Sequence, residues 1–248
     1  MRYLVLSDIH ANLEAFDAVL VDSRGAGCER TLVLGDLVGY GADPNAVVER
    51  IRAMPDAMTI RGNHDKVAAG LEPSDSFNHQ ARAAIAWTAV ALTTQHREYL
   101  RALPHGPMAI DSLVEICHGT PFDEDVYIFD ELDALRSLRS ASRRLCLYGH
   151  THVPAAFDLA ADRLRPLGPV RGTANVVTFS GEARHVLVNC GSVGQPRDGD
   201  PRAAYGIADT DAGTVTIKRV VYDVAAAQTK ILAAGLPEVL AQRLAMGR

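Results

Sequence analysis

The stretch that decides the fold is Thr31-Leu32-Val33-Leu34-Gly35-Asp36-Leu37-Val38-Gly39-Tyr40. It begins with a short apolar run of β-forming residues, stops at a glycine and then presents the carboxylate of Asp36. Fully buried strands have this continuous apolar pattern, and ligands of open α/β sheets bind just beyond the carboxyl ends of the strands. The stretch therefore predicts a buried strand that delivers Asp36 to a binding site.

Four other short apolar runs end in the same way, in Asp, Asn or His. Because ligands bind past the ends of such strands, five endings of this kind indicate one metal site. We place Asp36 at its centre, as a carboxylate shared by two ions. The other four runs are Tyr3–His10, Met58–Asp65, Leu113–His118 and Leu145–His152.

The composition is ordinary for a globular protein: of 248 residues, 48% are hydrophobic and 22% are charged. The net charge of −5 gives no support for general binding of nucleic acids or anionic membranes. No apolar run reaches the roughly 18 residues of a membrane-spanning helix. The N-terminus reads directly as a strand and not as a signal peptide. We therefore expect a cytoplasmic protein with one domain over residues 1–248, and the sequence leaves a homo-oligomer open.

The cysteines are scattered along the chain, and no two of them form a CxxC pair. Most of them lie in apolar, strand-like runs, which is typical of core thiols. We interpret them as buried thiols and not as disulfides or zinc ligands. The four are Cys28, Cys117, Cys146 and Cys190.

Residues 3–60 have the pattern strand–helix–strand–helix–strand, which is the signature of an α/β layer fold. Asn12 is the expected cap of the first helix, and Asp43-Pro44 opens the second. Residues 66–76 read as a loop. Residues 77–102 read as a helical stretch that breaks near Thr93-Thr94.

We expect about 66–107 to be an insertion that forms a helical cap over the site. The order of elements changes after this insertion. Together, the predicted elements give two β-sheets that face each other, with helices on the outside. The later elements are hairpins at 108–117 and 204–222, helices at 130–139, 224–234 and 237–246, strands at 144–148, 154–160, 174–179 and 185–190, and a surface loop at 166–172.

Asp8 and His10 lie two residues apart just past the first strand. In an extended segment, side chains two apart point to the same side, so both can reach one ion. A carboxylate with an imidazole suits Mn, Fe or Zn. His150 and His152 repeat this spacing after another strand. Taken alone, the first pair also fits a turn aspartate with a chance histidine, the second pair fits a surface His-x-His, and His118 fits a structural role.

Asn63, His64 and Asp65 follow a strand and a glycine. Asn63 offers a neutral amide oxygen as a ligand, while His64 points elsewhere and is free for proton transfer or for a phosphate oxygen. Asp65 is expected to hydrogen-bond the His64 ring and fix its tautomer. The alternative is an ordinary Gly-Asn turn.

The strand endings together argue against these local alternatives. Two ions about 3.5–4 Å apart need a bridging group and about seven ligands in all. The sequence supplies such a set at strand ends: Asp8, His10, Asp36, Asn63, His118, His150 and His152.

In order and spacing this series resembles the calcineurin-like metallophosphoesterase superfamily, over residues 4–152. The resemblance implies a four-layer α/β/β/α sandwich with the site at strand ends, and it implies that His64 is the phosphate-facing acid. It also implies that the first ion is held by Asp8, His10, Asp36 and His152, and the second by Asp36, Asn63, His118 and His150.

Residues 77–88 and 189–198 further resemble a bacterial and archaeal branch labelled diadenosine tetraphosphatase-like or phosphodiesterase-like. Many superfamily members have proline where this chain has Cys190, and we interpret the cysteine as a packing change near the site.

This resemblance predicts a dimetal phosphohydrolase for a small phosphodiester, phosphoanhydride or phosphomonoester, with nucleotides among the candidate substrates. Two ions bridged by Asp36 would clamp the phosphate and lower the pKa of a bridging water, which attacks in line. His64 would donate a proton to the leaving oxygen. Asp, Asn and His ligands accept Mn, Fe, Zn or Co, and we favour Mn or Fe.

Asn63 and His64 are expected to touch the phosphate, and three further residues are candidates for substrate contact. Arg61 and Arg197 suit a phosphate, although a solvated or salt-bridged arginine fits each equally well. Tyr40 is placed to stack on a nucleobase, and a packed loop tyrosine is the alternative. A protein-interaction scaffold would predict broken ligands, and none is broken. A serine/threonine protein phosphatase is disfavoured because no peptide-groove pattern is found.

Overall fold

The computed structural model describes residues 1–161, 163–167, 174–179 and 185–248. Within these residues, two mixed sheets of six strands each face one another, and helices cover both outer faces. This is the four-layer α/β/β/α arrangement that the sequence predicts. The strands are β1 (Arg2–Leu6), β2 (Arg30–Val33), β3 (Ala57–Thr59), β4 (Met108–Ala109), β5 (Val114–Ile116), β6 (Leu145–Tyr148), β7 (Ala155–Ala160), β8 (Arg163–Pro166), β9 (Ala174–Thr178), β10 (His185–Asn189), β11 (Ala203–Asp209) and β12 (Thr214–Val220).

The first sheet has the order β3-β2-β1-β11-β12-β9, and the second has the order β4-β5-β6-β10-β7-β8. Each sheet contains a parallel part: β1 pairs with β2 and β2 with β3, while β6 pairs with β5 and β10. The carboxyl ends of these parallel strands carry the polar residues that the sequence singles out.

Side-chain alternation along the strands separates two apolar cores. Tyr3 and Val5 of β1 point into the core between the two sheets, while Leu4 and Leu6 point to the outer helices. Successive side chains of a strand face opposite sides, and β1 is apolar on both because it is covered on both. The core between the sheets also contains Leu32, Leu34, Ile116, Leu145, Leu147, Val186, Val188 and Cys190.

Eight helices are described, and most of them begin and end where the sequence predicts. The first follows Asn12, whose side chain accepts a hydrogen bond from the backbone of Ala15, as expected of a cap. The expected break near Thr93 is also present. The helices are α1 (Leu13–Ser23), α2 (Pro44–Arg52), α3 (Asn63–Ala68), α4 (His79–Ala91), α5 (Thr94–Ala102), α6 (Glu131–Ser140), α7 (Val224–Ala233) and α8 (Glu238–Met246).

The segment 66–107 differs from the expected cap. A helix, α3, begins at Asn63, so the expected loop at 66–76 is wrong at its start. Ile85, Leu92 and Leu100 pack into the same outer core as the residues of α1, so most of the segment belongs to the helical layer. The parts of the segment that border the site are Lys66 and Val67 of α3, the chain between α3 and α4, and the first turn of α4.

Two further expectations concern the middle of the chain and the cysteines. Strand β8 occupies Arg163–Pro166, so it includes the first residue of the loop predicted at 166–172. Residues 168–172 of that loop lie outside the described residues.

All four cysteines are free, and three of them are buried, as the sequence predicts. No helix in the described part of the chain is long and apolar enough to cross a membrane.

Replacement of a residue in the core between the sheets tests this architecture. Leu145 is fully buried there, whereas Leu132 on α6 is 76% exposed. We expect Leu145→Ala to lower the free energy of unfolding by about 2–5 kcal/mol, because it leaves a cavity. Leu132→Ala is the control and should change it by less than about 0.5 kcal/mol. Denaturant titration measures both, and equal losses would contradict the described packing.

Candidate metal centre

Strand ends from both sheets meet at one edge of the sandwich. Asp8 follows β1, Asp36 follows β2, and Asn63 follows β3 in the first sheet. His118 follows β5 and His150 follows β6 in the second sheet. Except for the half-buried Asn63, these side chains are buried, so the ligands expected from the sequence converge inside the protein.

The backbone achieves this convergence with left-handed turns and not with extended segments. The φ angles are +54° at Asp8, +48° at His10, +67° at His150 and +59° at His152. The extended geometry expected for both i, i+2 pairs is therefore wrong, although both side chains of each pair do reach the site. Asp36 also has a positive φ, of +55°. Each such residue costs roughly 1–3 kcal/mol, and strain of this kind clusters at functional sites.

Gly62 lets the backbone pass very close to the Asp36 carboxylate at the centre of the site. A Cβ atom at this position would lie 2.2 Å from Oδ1 of Asp36, well inside van der Waals contact. The glycine that precedes Asn63 therefore lets the chain pass directly against the central carboxylate.

In the first ligand group, backbone carbonyls fix the tautomers of two histidines. Nδ1 of His10 lies 3.0 Å from the Val38 carbonyl, and Nδ1 of His152 lies 2.7 Å from the Gln195 carbonyl. A carbonyl only accepts, so each Nδ1 carries the hydrogen and each Nε2 presents a lone pair. The two Nε2 atoms are 3.1 Å apart, and Nε2 of His152 is 3.4 Å from Oδ1 of Asp8.

In the second ligand group, backbone carbonyls also fix the tautomers of two histidines, but one of the two rings has the opposite orientation. Nδ1 of His118 donates to the Leu34 carbonyl at 2.7 Å, so its Nε2 faces the site. His150 is turned round: its Nε2 donates to the Asp125 carbonyl at 3.1 Å, and its Nδ1 lies 3.1 Å from Nε2 of His118. Oδ1 of Asn63 is 3.2 Å from the same Nε2.

Asp36 joins the two groups. Its Oδ1 accepts the backbone N–H of His64 at 2.9 Å, and its Oδ2 lies 3.5 Å from Nε2 of His10 and 3.5 Å from Nε2 of His118. One carboxylate oxygen therefore faces one histidine from each group.

These facing lone pairs and carboxylates fit a pair of cations. Two acceptor nitrogens 3.1 Å apart repel each other unless a positive charge lies between them. The ligand atoms of Asp8, His10, Asp36 and His152 all lie within 4.8 Å of one another, and those of Asp36, His118 and His150 form a second such group. Imidazole and carboxylate donors of this kind suit Mn, Fe, Zn or Co.

The electrostatics show how strongly the site favours positive charge. Burial raises the pKa of Asp8 to about 6. Burial alone would raise the pKa of Asp36 too, but His118, His64 and His10 hold it well below its usual range. Burial opposes protonation of His118, yet the Asp36 carboxylate raises its pKa to about 10. The buried Asp36 carboxylate thus favours positive charge beside it, which is the charge that a bound cation would supply.

His64 stands apart from both ligand groups, as the sequence predicts. Its ring lies 4.5 Å from the Tyr40 ring and 4.6 Å from the Phe77 ring, between centroids. Its buried Nδ1 has no hydrogen-bond partner within the described residues. The ring fits here because Gly39 has no side chain: a Cβ atom there would lie 2.4 Å from this nitrogen. Burial lowers the pKa of His64 to about 4, although Asp36 opposes the change.

Asp65 does not orient the His64 ring, which corrects the expected pairing. Its Oδ1 accepts the backbone N–H groups of Leu37 and Val38 at 2.9 and 3.2 Å, and its Oδ2 accepts that of Gly62 at 3.0 Å. Asp65 thereby ties the loop after β2 to the start of α3. It positions Asp36 and His64 through the backbone.

The three further residues predicted to contact the substrate have different surroundings. Arg61 forms an ion pair with Glu124 at 2.8 Å, so its charge is already compensated. Arg197 hydrogen-bonds Gln195 at 2.9 Å, and its guanidinium lies 5.7 Å from the centre of the Tyr40 ring. Tyr40 is only 7% exposed and packs against the His10 and His64 rings, so the packed alternative describes it better than an open stacking surface.

The segment 189–195 supports the ligand loops. Ser192 donates from its hydroxyl to the Asp8 carbonyl at 2.8 Å, and Asn189 donates to the Gly149 carbonyl at 2.8 Å. Cys190 is buried in the core between the sheets, as expected of a packing residue. This segment, noted in the sequence for its resemblance to a branch, therefore holds the loops of Asp8 and His150 in place.

Sequence reasoning missed the aromatic residues that border the site. The Tyr127 ring stacks on the His150 ring at 3.7 Å, and Phe77 contacts the His64 ring. Tyr127 lies in a stretch without a strand or helix pattern. No local signal in the sequence could have assigned it to the site.

The comparisons with known proteins agree with this geometry. The family model described as the calcineurin-like phosphoesterase superfamily domain matches residues 1–213. The chain belongs to this superfamily, and it is a metallophosphoesterase, a class of phosphoester hydrolases that depends on two metal ions.

Three relatives show how far the similarity extends. An uncharacterized protein of Methanocaldococcus jannaschii is 36% identical over 252 residues, which cover 98% of this chain and 97% of the relative. The phosphodiesterase YfcE of Escherichia coli is 26% identical over 225 residues, which cover 87% and 91%. The crystal structure of a metallophosphoesterase from Sphaerobacter thermophilus has a TM-score of 0.86 and 38% identity, with coverage of 100% and 99%.

Removal of the shared carboxylate tests the metal centre. We expect Asp36→Asn to reduce bound Mn²⁺ from about two ions per chain to one or fewer, because Asp36 faces both ligand groups. Metal content after equilibrium dialysis measures this. Asp17→Asn is the matched control, since Asp17 is a half-buried aspartate of α1 that is paired with Arg50. Unchanged stoichiometry in Asp36→Asn would contradict the sharing.

Proposed function

We propose that the protein is a dimetal phosphohydrolase that cleaves a phosphodiester, phosphoanhydride or phosphomonoester of a small substrate, with Mn or Fe as the preferred metals. The position of Asp36 carries the proposal, because one of its oxygens lies 3.5 Å from a histidine nitrogen of each ligand group. A shared carboxylate is the usual bridge of two-ion phosphoesterase sites.

The bound ions would supply charge neutralisation for the phosphate and a nucleophilic water at neutral pH. The residues that would hold them are Asp8, His10, Asp36 and His152 on one side and Asp36, Asn63, His118 and His150 on the other. The carbonyls of Val38, Gln195, Leu34 and Asp125 keep the four rings in the tautomer that ligation requires.

His64 would transfer a proton to the leaving oxygen. Its ring is neutral in the free protein at neutral pH, because burial lowers its pKa to about 4. A bound anionic phosphate favours the protonated ring, so the proton would be taken up together with the substrate. Gly39 and Asp65 hold His64 in place, the first by its lack of a side chain and the second through the backbone.

Two other functions are less well supported. A binding-only scaffold on this fold has no need of a complete ligand set, yet all seven predicted side chains converge here. A protein phosphatase needs an open groove for a peptide. In the described residues, His64 instead faces a cavity bordered by Phe77 and Tyr127.

Hydrolysis of bis-p-nitrophenyl phosphate tests the proposed function. We expect turnover with Mn²⁺, no turnover after chelation, and a loss of at least about a hundredfold in Asp36→Asn, because one oxyanion-stabilising contact alone is worth that much. The Asp17→Asn variant should keep wild-type activity. The same rate in wild type and Asp36→Asn, or no rate in either, would refute the proposed enzyme.

The role of His64 is tested by the leaving group. We expect His64→Ala to bind two ions normally and to lose about 10²–10⁴-fold in kcat on esters with an alkyl leaving group, which needs a proton. The loss on p-nitrophenyl esters should be smaller, because p-nitrophenolate leaves without one. Metal loss in His64→Ala would mean instead that His64 is a ligand.

A further inference from the structure

A cavity of about 470 Å³ opens on the His64 side of the metal centre. This size is within the range of small-molecule sites, about 300–1,000 Å³. Asn63, His64 and His150 border it on the side of the metal ligands. Because His64 is the group proposed to protonate the leaving oxygen, the leaving group would enter this cavity.

Aromatic rings line the cavity next to the metal ligands. Phe77 lies against the His64 ring at 4.6 Å, and Tyr127 stacks on the His150 ring at 3.7 Å. Both rings are half-buried and border the cavity, so part of each is open to it. The Tyr127 ring also stacks on Phe129 at 5.0 Å between centroids, so a flat ring entering beside His64 would meet chiefly the ring of Phe77.

The charges on the cavity wall are negative on balance. Lys66 is the only lysine or arginine that borders it among the described residues, and Glu72 and Asp125 are the carboxylates. Nζ of Lys66 is 3.1 Å from Glu72 and also contacts Asp125 and Glu124, and its side chain is only 3% exposed. Its charge is therefore compensated several times over, and no cation remains there for a second phosphate.

The other nearby arginines do not change this balance. Arg61 is paired with Glu124, the same carboxylate that reaches Lys66. Arg197 hydrogen-bonds Gln195, its guanidinium lies 5.7 Å from the centre of the Tyr40 ring, and it does not border the cavity. Among the described residues, the cavity wall therefore has two carboxylates and one lysine whose charge is already paired.

We infer that this cavity holds the leaving group of the substrate, and that it selects a neutral group with an aromatic ring, such as a nucleoside, over one that carries another phosphate. The inference rests on the proposed function and deepens it. It favours phosphodiesters or monoesters of nucleosides over dinucleoside polyphosphates. Stacking on Phe77 provides the affinity, and Glu72 and Asp125 repel a phosphorylated leaving group.

Two substrates that differ by one phosphate test the selection. Adenylyl-adenosine has neutral adenosine as its leaving group, whereas diadenosine diphosphate has the same bases and releases an anionic nucleotide. With saturating Mn²⁺ we expect kcat/KM for adenylyl-adenosine to be at least about tenfold higher, because Glu72 and Asp125 repel the anionic nucleotide that diadenosine diphosphate releases. This order opposes intrinsic reactivity, because an anhydride has the better leaving group.

Charge variants test the repulsion separately. Glu72→Gln removes one negative charge from the cavity wall and should raise kcat/KM for diadenosine diphosphate, relative to adenylyl-adenosine, by about threefold or more. Glu98→Gln is the matched control: Glu98 is a similarly exposed glutamate that lies 3.5 Å from Arg101 on α5 and does not border the cavity. It should leave the ratio unchanged.

Ring variants test the stacking. Phe77→Leu keeps apolar volume but loses the flat ring, and it should raise KM for adenylyl-adenosine by about tenfold without changing the metal content. Phe77→Tyr keeps the ring and should retain the wild-type KM. Equal KM values in both variants would overturn the stacking role.

Failure of this inference differs from failure of the proposed function. Suppose that the wild-type protein hydrolyses bis-p-nitrophenyl phosphate and Asp36→Asn does not, but that kcat/KM is higher for diadenosine diphosphate than for adenylyl-adenosine. The selection is then wrong and the phosphohydrolase stands. An equal change of the substrate ratio in Glu72→Gln and Glu98→Gln would also overturn it. Absence of all phosphoester hydrolysis would overturn both.

Discussion

The rest of the site depends on the placement of one carboxylate oxygen, Oδ2 of Asp36, between histidines from two different sheets. Its other oxygen is held by the backbone N–H of His64, so the carboxylate has a single orientation. His10 reaches it from the loop after β1 and His118 from the end of β5. A carboxylate buried in this way requires positive charge around it, because an isolated buried anion is very unfavourable.

The fold meets this requirement by joining rigid strands to strained loops. Two sheets packed over an apolar core fix the strand ends, and left-handed residues at Asp8, His10, Asp36, His150 and His152 then turn the side chains inward. The strained backbone is stable only because neighbouring groups determine it: carbonyls bind the outer nitrogens of the imidazoles, and Ser192 and Asn189 hold the loops. Strain and hydrogen bonding together preorganise the ligands.

Much of this arrangement could be predicted from the sequence, because it depends on patterns of residues that are neighbours in the chain. A buried parallel strand is an unbroken apolar run, so the polar residue that ends it is conspicuous, as with Asp36 after Leu34. Helix caps such as Asn12 and Thr93 are equally local. The rest depends on contacts between distant residues. Parts of the chain that are far apart in sequence set the rotation of the His150 ring, the backbone bonds of Asp65 and the place of Tyr127 at the cavity. Left-handed φ angles are more common at Asp and His than at most residues, but they are too rare to be predicted at a given position.

The most direct test of the central claim is anomalous diffraction from crystals of the protein loaded with Mn²⁺. Two peaks about 3.5–4 Å apart are predicted, with Oδ2 of Asp36 bound to both ions. His150 should bind through Nδ1, while His10, His118 and His152 bind through Nε2. A single peak, or two peaks of which Asp36 contacts only one, would contradict the shared carboxylate.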